Sequence, residues 1–306
     1  MSKASRRSTR SRQSAHAVRT PPTAAGGGLG RLVGAAAVAA LLVTAIAFLI
    51  LRPGGPSTAA WSRLGTEDVH SLAFVGGDPQ RLLFGHHGGV LSSADGGRDW
   101  QPLSTRSDAM SLGAAADGSI IIAGHEVLAY SRDEGRTWQD VAASLSSLDI
   151  HGFARDPSDP ARMWAYLATG GLWQSRDGGV VWEQVQLENV LLPIAVATPS
   201  GTRLFGVRVN GLASSDDGGS TWRDIATPQV YPITSLAATA DGSVLVAAGP
   251  DGLARSDDGA ASWSKLPFDS QPAAIAVTNG GRTIAVVARS TEFFRSDDGG
   301  QRWPGP

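Results

Sequence analysis

Two patterns of apolar residues divide the chain. From Leu32 to Leu51 the residues "LVGAAAVAALLVTAIAFLIL" carry no charge and stand between Arg31 and Arg52. At about 1.5 Å per residue, a helix of that length spans roughly 30 Å, the thickness of the bilayer hydrocarbon. Beyond Arg52 the apolar runs shorten to a few residues separated by Gly, Asp, Ser and Pro, the pattern of short strands and tight turns. In the first such stretch "HSLAFV" (70–75), "RLLFG" (81–85), "VLSS" (90–93) and "DWQPL" (99–103) read as four successive strands, innermost to outermost.

The turn that follows the third strand repeats. "SADGGRDW" from Ser93, "SRDEGRTW" from Ser131, "SRDGGVVW" from Ser175, "SDDGGSTW" from Ser215, "SDDGAASW" from Ser256 and "SDDGGQRW" from Ser296 each place Asp two residues and Trp seven residues after the Ser. Their spacings of 38, 44, 40, 41 and 40 residues define a structural repeat, and a period near 40 with one hairpin signature per unit fits a four-stranded propeller blade. The Asp carboxylate can accept hydrogen bonds from amides of its own turn, Gly supplies positive φ, and the Trp covers the hairpin. Six of the nine tryptophans are thereby assigned to packing, and Ala260, which stands where the other copies have Gly, is expected to be strained. The last unit ends at "RWPGP", too short for a fourth strand, whereas "WSRL" (61–64) precedes the first unit and resembles "WQPL". Trp61–Leu64 is therefore expected to complete the last blade and close a six-bladed ring, removing an exposed sheet edge.

The pattern S-x-D-x-G-x-x-W resembles the Asp-box (BNR) repeat of sialidases, sortilin-type receptors, photosystem II assembly factors and bacterial membrane-anchored proteins labelled sialidase-like or glycosyl hydrolase. The resemblance covers residues 61–306. It implies an all-β six-bladed β-propeller of Asp-box repeats, with the boxes away from any active site, so that Asp95, Asp133, Asp177, Asp217, Asp258 and Asp298 are not catalytic. It also implies what a sialidase would need: an arginine cluster, a Tyr activated by Glu, an acidic Asp and an Arg-Ile-Pro motif. That motif is absent, and tyrosine occurs only at 130, 166 and 231. Of these, Tyr231 is the one expected near the channel mouth, with Arg208 and Arg289 at strand corners of the same face.

Charge adds a direction. Residues 1–31 hold seven basic side chains and no acidic one, leaving 19 basic against 28 acidic residues in the rest of the chain. The acidic remainder argues against nucleic acid as a partner, and the basic leader predicts a cytoplasmic N-terminus with everything after Arg52 outside. The predicted organisation is a basic, disordered leader (1–30), a single transmembrane helix (31–52), a linker (53–60) and the propeller (61–306). A cleaved signal peptide, with small residues at "STAA" (57–60), is the rival reading of the apolar run. Cysteine is absent, which removes disulfides and thiolate chemistry.

Repeat register also sorts candidate chemistry by face. His70 and His151 begin the innermost strands of blades one and three, Met110 takes the matching place in blade two, and His86, His87 and His125 sit at the corners between second and third strands. All six map to the channel-mouth face, opposite the repeated turns. Imidazole with thioether suits copper, and imidazole alone suits zinc as well; a polar rim around the channel is the plain reading of the same residues. Asp68 and Glu126 are candidate partners of these rings, and Met163 reads as core. The expected function is a membrane-anchored, extracytoplasmic propeller that binds a protein or glycan ligand, with copper or zinc on the histidine face. A sialidase-like glycoside hydrolase is the alternative, with no catalytic residue identified.

Overall fold

The computed structural model describes residues 58–103, 108–115 and 117–306. The leader, the apolar run 32–51 and most of the linker lie outside the described residues. Among the described residues no helix is long and apolar enough to cross a membrane.

The described chain folds into six antiparallel sheets of four strands each. Blade one comprises Ser71–Phe74, Leu82–His86, Gly89–Ser93 and Gln101–Pro102 in that order. The second strands, such as Ile120–Gly124, Leu245–Gly249 and Ile284–Ala288, are buried along their whole length. They read as unbroken apolar runs because both faces of a blade are covered. Leu82 and Phe84 pack against blade six through Ala285, Val287 and Phe293, while Leu83 points the other way, against Ile120 and Ile122 of blade two. One such apolar layer lies between every pair of neighbouring blades, and each large side chain taken from water there contributes about 1.5–3 kcal/mol.

The ring closes as the sequence predicts. Ser62–Arg63 pairs antiparallel with Glu292–Ser296 as the outer strand of blade six, with Ser62 opposite Phe293. Backbone bonds from Trp61 N to Phe293 O (2.7 Å) and Ala59 N to Trp303 O (2.9 Å) hold it, and the Trp61 indole donates to Pro304 O at 2.8 Å. The outer strand of blade one is shorter than expected, with only Gln101–Pro102 in the strand and Trp100 ahead of it, whereas that of blade three runs Trp182–Gln186 and includes its Trp.

All six repeated turns share one wiring. The Ser hydroxyl donates to its Asp carboxylate at 2.8–2.9 Å and accepts the amide four residues on at 2.8–3.0 Å. In five copies the indole N–H donates to the carbonyl of that same residue, as from Trp222 to Gly219 (2.9 Å). The fifth copy departs: Ala260 is held at φ 70° and Trp263 bonds Ala226 O instead. The Gly at this position has positive φ and lies against the preceding blade, so that a Cβ on Gly300 would meet Leu266 at 2.5 Å and one on Gly219 would meet Leu172 at 2.8 Å.

Burial differs among the indoles: Trp303 is 1% exposed, whereas Trp222 is half-buried. Trp303→Ala should therefore cost about 3–5 kcal/mol and Trp222→Ala distinctly less, as read by chemical denaturation of the two variants. The turn carboxylates also link stability to acid. Hydrogen bonds from the Thr137 side chain and amide hold Asp133 at about 2, below the 3.8 of a free carboxyl. The Ser262 hydroxyl and amide do the same for Asp258, also to about 2. A depressed folded-state value means stabilisation present above the unfolded pKa and lost as pH falls. Thermal melts should show the midpoint dropping between pH 4 and pH 2, and an Asp133→Asn/Asp258→Asn variant should show a shallower drop.

Candidate functional site

The channel mouth is assembled from the approach to each innermost strand and the tight turn between second and third strands. In blades one and two those turns are two residues long, and their first residues are His87 and His125. Glycine permits the packing beneath them: a side chain at Gly85 or Gly124 would run into the backbone of Ala109 or Asp108, the segment entering blade two. Asp68 accepts the His87 amide at 3.1 Å and Asp108 the His125 amide at 3.0 Å, so each carboxylate also fixes the turn of its own blade.

These contacts bring four imidazoles and three carboxylates into a row across blades one to three. At one end His70 Nε2 lies 2.7 Å from Asp68 Oδ2 and 3.1 Å from His87 Nδ1, and His87 Nδ1 is itself paired with Asp68 Oδ2. In the middle Asp108 reaches both ways, to His125 Nδ1 through Oδ2 and toward His87 Nε2, 3.7 Å from Oδ1. At the other end His151 Nε2 is 2.9 Å and His125 Nε2 3.4 Å from Asp149 Oδ1, with the two nitrogens 3.3 Å apart. Asp108 is 7% exposed, sits at φ 71° and leaves Oδ1 buried without a hydrogen-bond partner. Burial lowers the pKa of His70 although Asp68 opposes the shift, and it lowers His86 in the same way.

Not every predicted residue joins the row. His86 stacks on Phe84, its Nδ1 accepts the Gly88 amide at 3.0 Å, and it stands 3.9 Å from Asp68. Met110 lines the central cavity with His70 and His151, and the group between blades one and three is Asp108. Glu126 occupies the blade-two turn at φ 58°. Sequence reasoning missed Asp108 and Asp149. Their signal is in the register: Asp68, Asp108 and Asp149 each stand two residues before the matched His70, Met110 and His151.

Inside the row lies a cavity of 590 Å³ lined by residues of all six blades, among them Asp68, Met110, Phe153, Leu192, Thr234 and Arg289. Arg208 is taken up by Glu188 and by Asp224 at 3.4 Å, which removes it as a free anion site. Tyr231 is 55% exposed and does not line the cavity.

The profile of the DUF6242 beta propeller domain matches residues 121–305. The chain belongs to this family. No curated protein matches its sequence. Among solved structures, the DUF6242 propeller is similar to YCF48 bound to D1 peptide, at TM-score 0.54 and 16% identity over 80% of this chain and 98% of that one. It is similar to the protein of a nidogen/laminin complex at TM-score 0.60 and 14% identity, over 74% and 93% of the two chains. A GH74 enzyme from Niastella koreensis matches at TM-score 0.53 and 16% identity over 76% of this chain but only 45% of the enzyme, so the chain spans less than half the enzyme's length. At these identities the likeness concerns the fold.

Proposed function

We propose that the chain is a membrane-anchored, extracytoplasmic Asp-box propeller that binds a protein partner at its channel mouth. The observation that carries this reading is the division of labour between faces. The repeated turns hold the blades, while the opposite face gathers a 590 Å³ cavity and the histidine–aspartate row. The uncharged run 32–51 behind a basic leader supports the anchor and its orientation. The fold's likeness to YCF48, whose structure holds a D1 peptide, is consistent with a peptide-sized partner. Asp68 is the only acidic side chain lining the cavity among the described residues, whereas glycoside hydrolysis by the usual route takes two carboxyl groups flanking the bond.

Photo-cross-linkers placed in cells at Thr234, in the cavity wall, and at Ser220, in a repeated turn, test the face. A discrete adduct from position 234 and none from 220 is expected; equal labelling from both, or none from 234, overturns the reading. A reporter fused after Pro306 should be found outside the cytoplasm. Turnover of fluorogenic glycosides by the full chain, lost on Asp68→Asn, would replace the partner-binding reading with the hydrolase one.

A further inference from the structure

Going beyond partner binding, we infer that the row holds two divalent transition-metal ions of the zinc type, each on two imidazoles and one carboxylate. One centre is His70 Nε2, His87 Nδ1 and Asp68 Oδ2; the other is His125 Nε2, His151 Nε2 and Asp149 Oδ1. The matching donor sets carry the assignment, and the spacing of the second supports it. At zinc–ligand distances of about 2.0–2.1 Å, two tetrahedral ligands lie roughly 3.3 Å apart. The edges of the second triangle measure 2.9, 3.3 and 3.4 Å, close to that value; the first brings the same donor set together more tightly, with edges of 2.7 and 3.1 Å and a shorter third, and must open to take an ion.

Protons alone serve these triangles badly. If both nitrogens carry a proton, two N–H groups face each other; if one does, a bare lone pair faces the carboxylate. A cation at the centre takes all three lone pairs at once. Three protein ligands leave a fourth tetrahedral position for water or a partner's donor group at the channel mouth.

Asp108 completes the arrangement. With His87 bound through Nδ1 and His125 through Nε2, the remaining proton of each ring sits on the nitrogen that faces Asp108. A carboxylate on the outer ring nitrogen fixes tautomer and orientation in metal-bound histidines, and here one carboxylate serves both centres. Its buried, unpartnered Oδ1 is the acceptor that faces His87 Nε2. Met110 and His86 belong to neither set, so no soft ligand is present to favour copper(I).

The test is metal stoichiometry of the detergent-solubilised full chain after equilibration with zinc and dialysis, with cobalt(II) absorption as a second readout of tetrahedral coordination. The unsubstituted chain and His86→Ala should each retain two ions. His70→Ala and His151→Ala should each retain one, the double variant none, and Asp108→Asn should weaken both sites by about 10–100-fold. Circular dichroism melts of each variant establish that it is folded, and His70→Gln with His151→Gln replaces any alanine variant that is not. Any stoichiometry other than two in the unsubstituted chain, or an unchanged stoichiometry in the folded single variants, overturns the proposal and leaves the row a hydrogen-bonded rim.

Discussion

The close approach of each repeated turn to the preceding blade is the constraint on which this propeller rests. The turn must bring a main-chain segment with positive φ against a neighbour's side chains, as Gly300 lies against Leu266 and Gly97 against Phe293. That geometry is kept by a buried serine hydroxyl bonded both to the carboxylate two residues on and to the amide four residues on. The indole then caps the same residue's carbonyl. Where the Gly is replaced by Ala260, the backbone still adopts φ 70° but the indole bond is lost to another partner. The serine–carboxylate link thus tolerates a substitution that the tryptophan contact does not.

Because the joints occupy one face, the opposite face is free to carry chemistry, and it does so in only half the ring. Blades one to three share an aspartate before the innermost strand, and blades one and two a histidine at the corner; blades four to six have neither in register. The resulting charge distribution is one-sided. Carboxylates and imidazoles line one arc of the mouth, with Arg289 on the wall of blade six. A partner or ligand meeting this surface encounters an oriented array, whose spacing is set by the pitch from blade to blade.

Much of the candidate site was legible, for a simple reason. A repeat of about 40 residues gives every position a structural address, so the register alone assigns His70, His87, His125 and His151 to one face. His86 shares that corner but stays out of the row, because adjacent residues in a tight turn point in different directions and its ring accepts the Gly88 amide. Asp108 and Asp149 were passed over because a lone aspartate ahead of a strand reads as turn chemistry; its second role appears only when the neighbouring blade's ring arrives. Arg208 looked like a free cation until the chain brought Glu188 and Asp224 to it from the segments on either side.

Local physics lies behind what the sequence alone determined: the number of blades, the turn wiring and the closure of the last blade by Trp61–Leu64. The first two rest on hydrogen bonds and strand pairings that a short stretch of chain specifies by itself, repeated six times; the closure follows from the same repeat, whose last copy lacks an outer strand that Ser62–Arg63 supplies. The convergence of two histidines and one aspartate at each end of the row was decided by tertiary structure. His87 and Asp108, or His125 and His151, come from different blades, and their meeting depends on the rotation from one blade to the next. That rotation is set by the apolar layers between blades, where packing of side chains such as Leu83 against Ile122 fixes distances that no local pattern encodes.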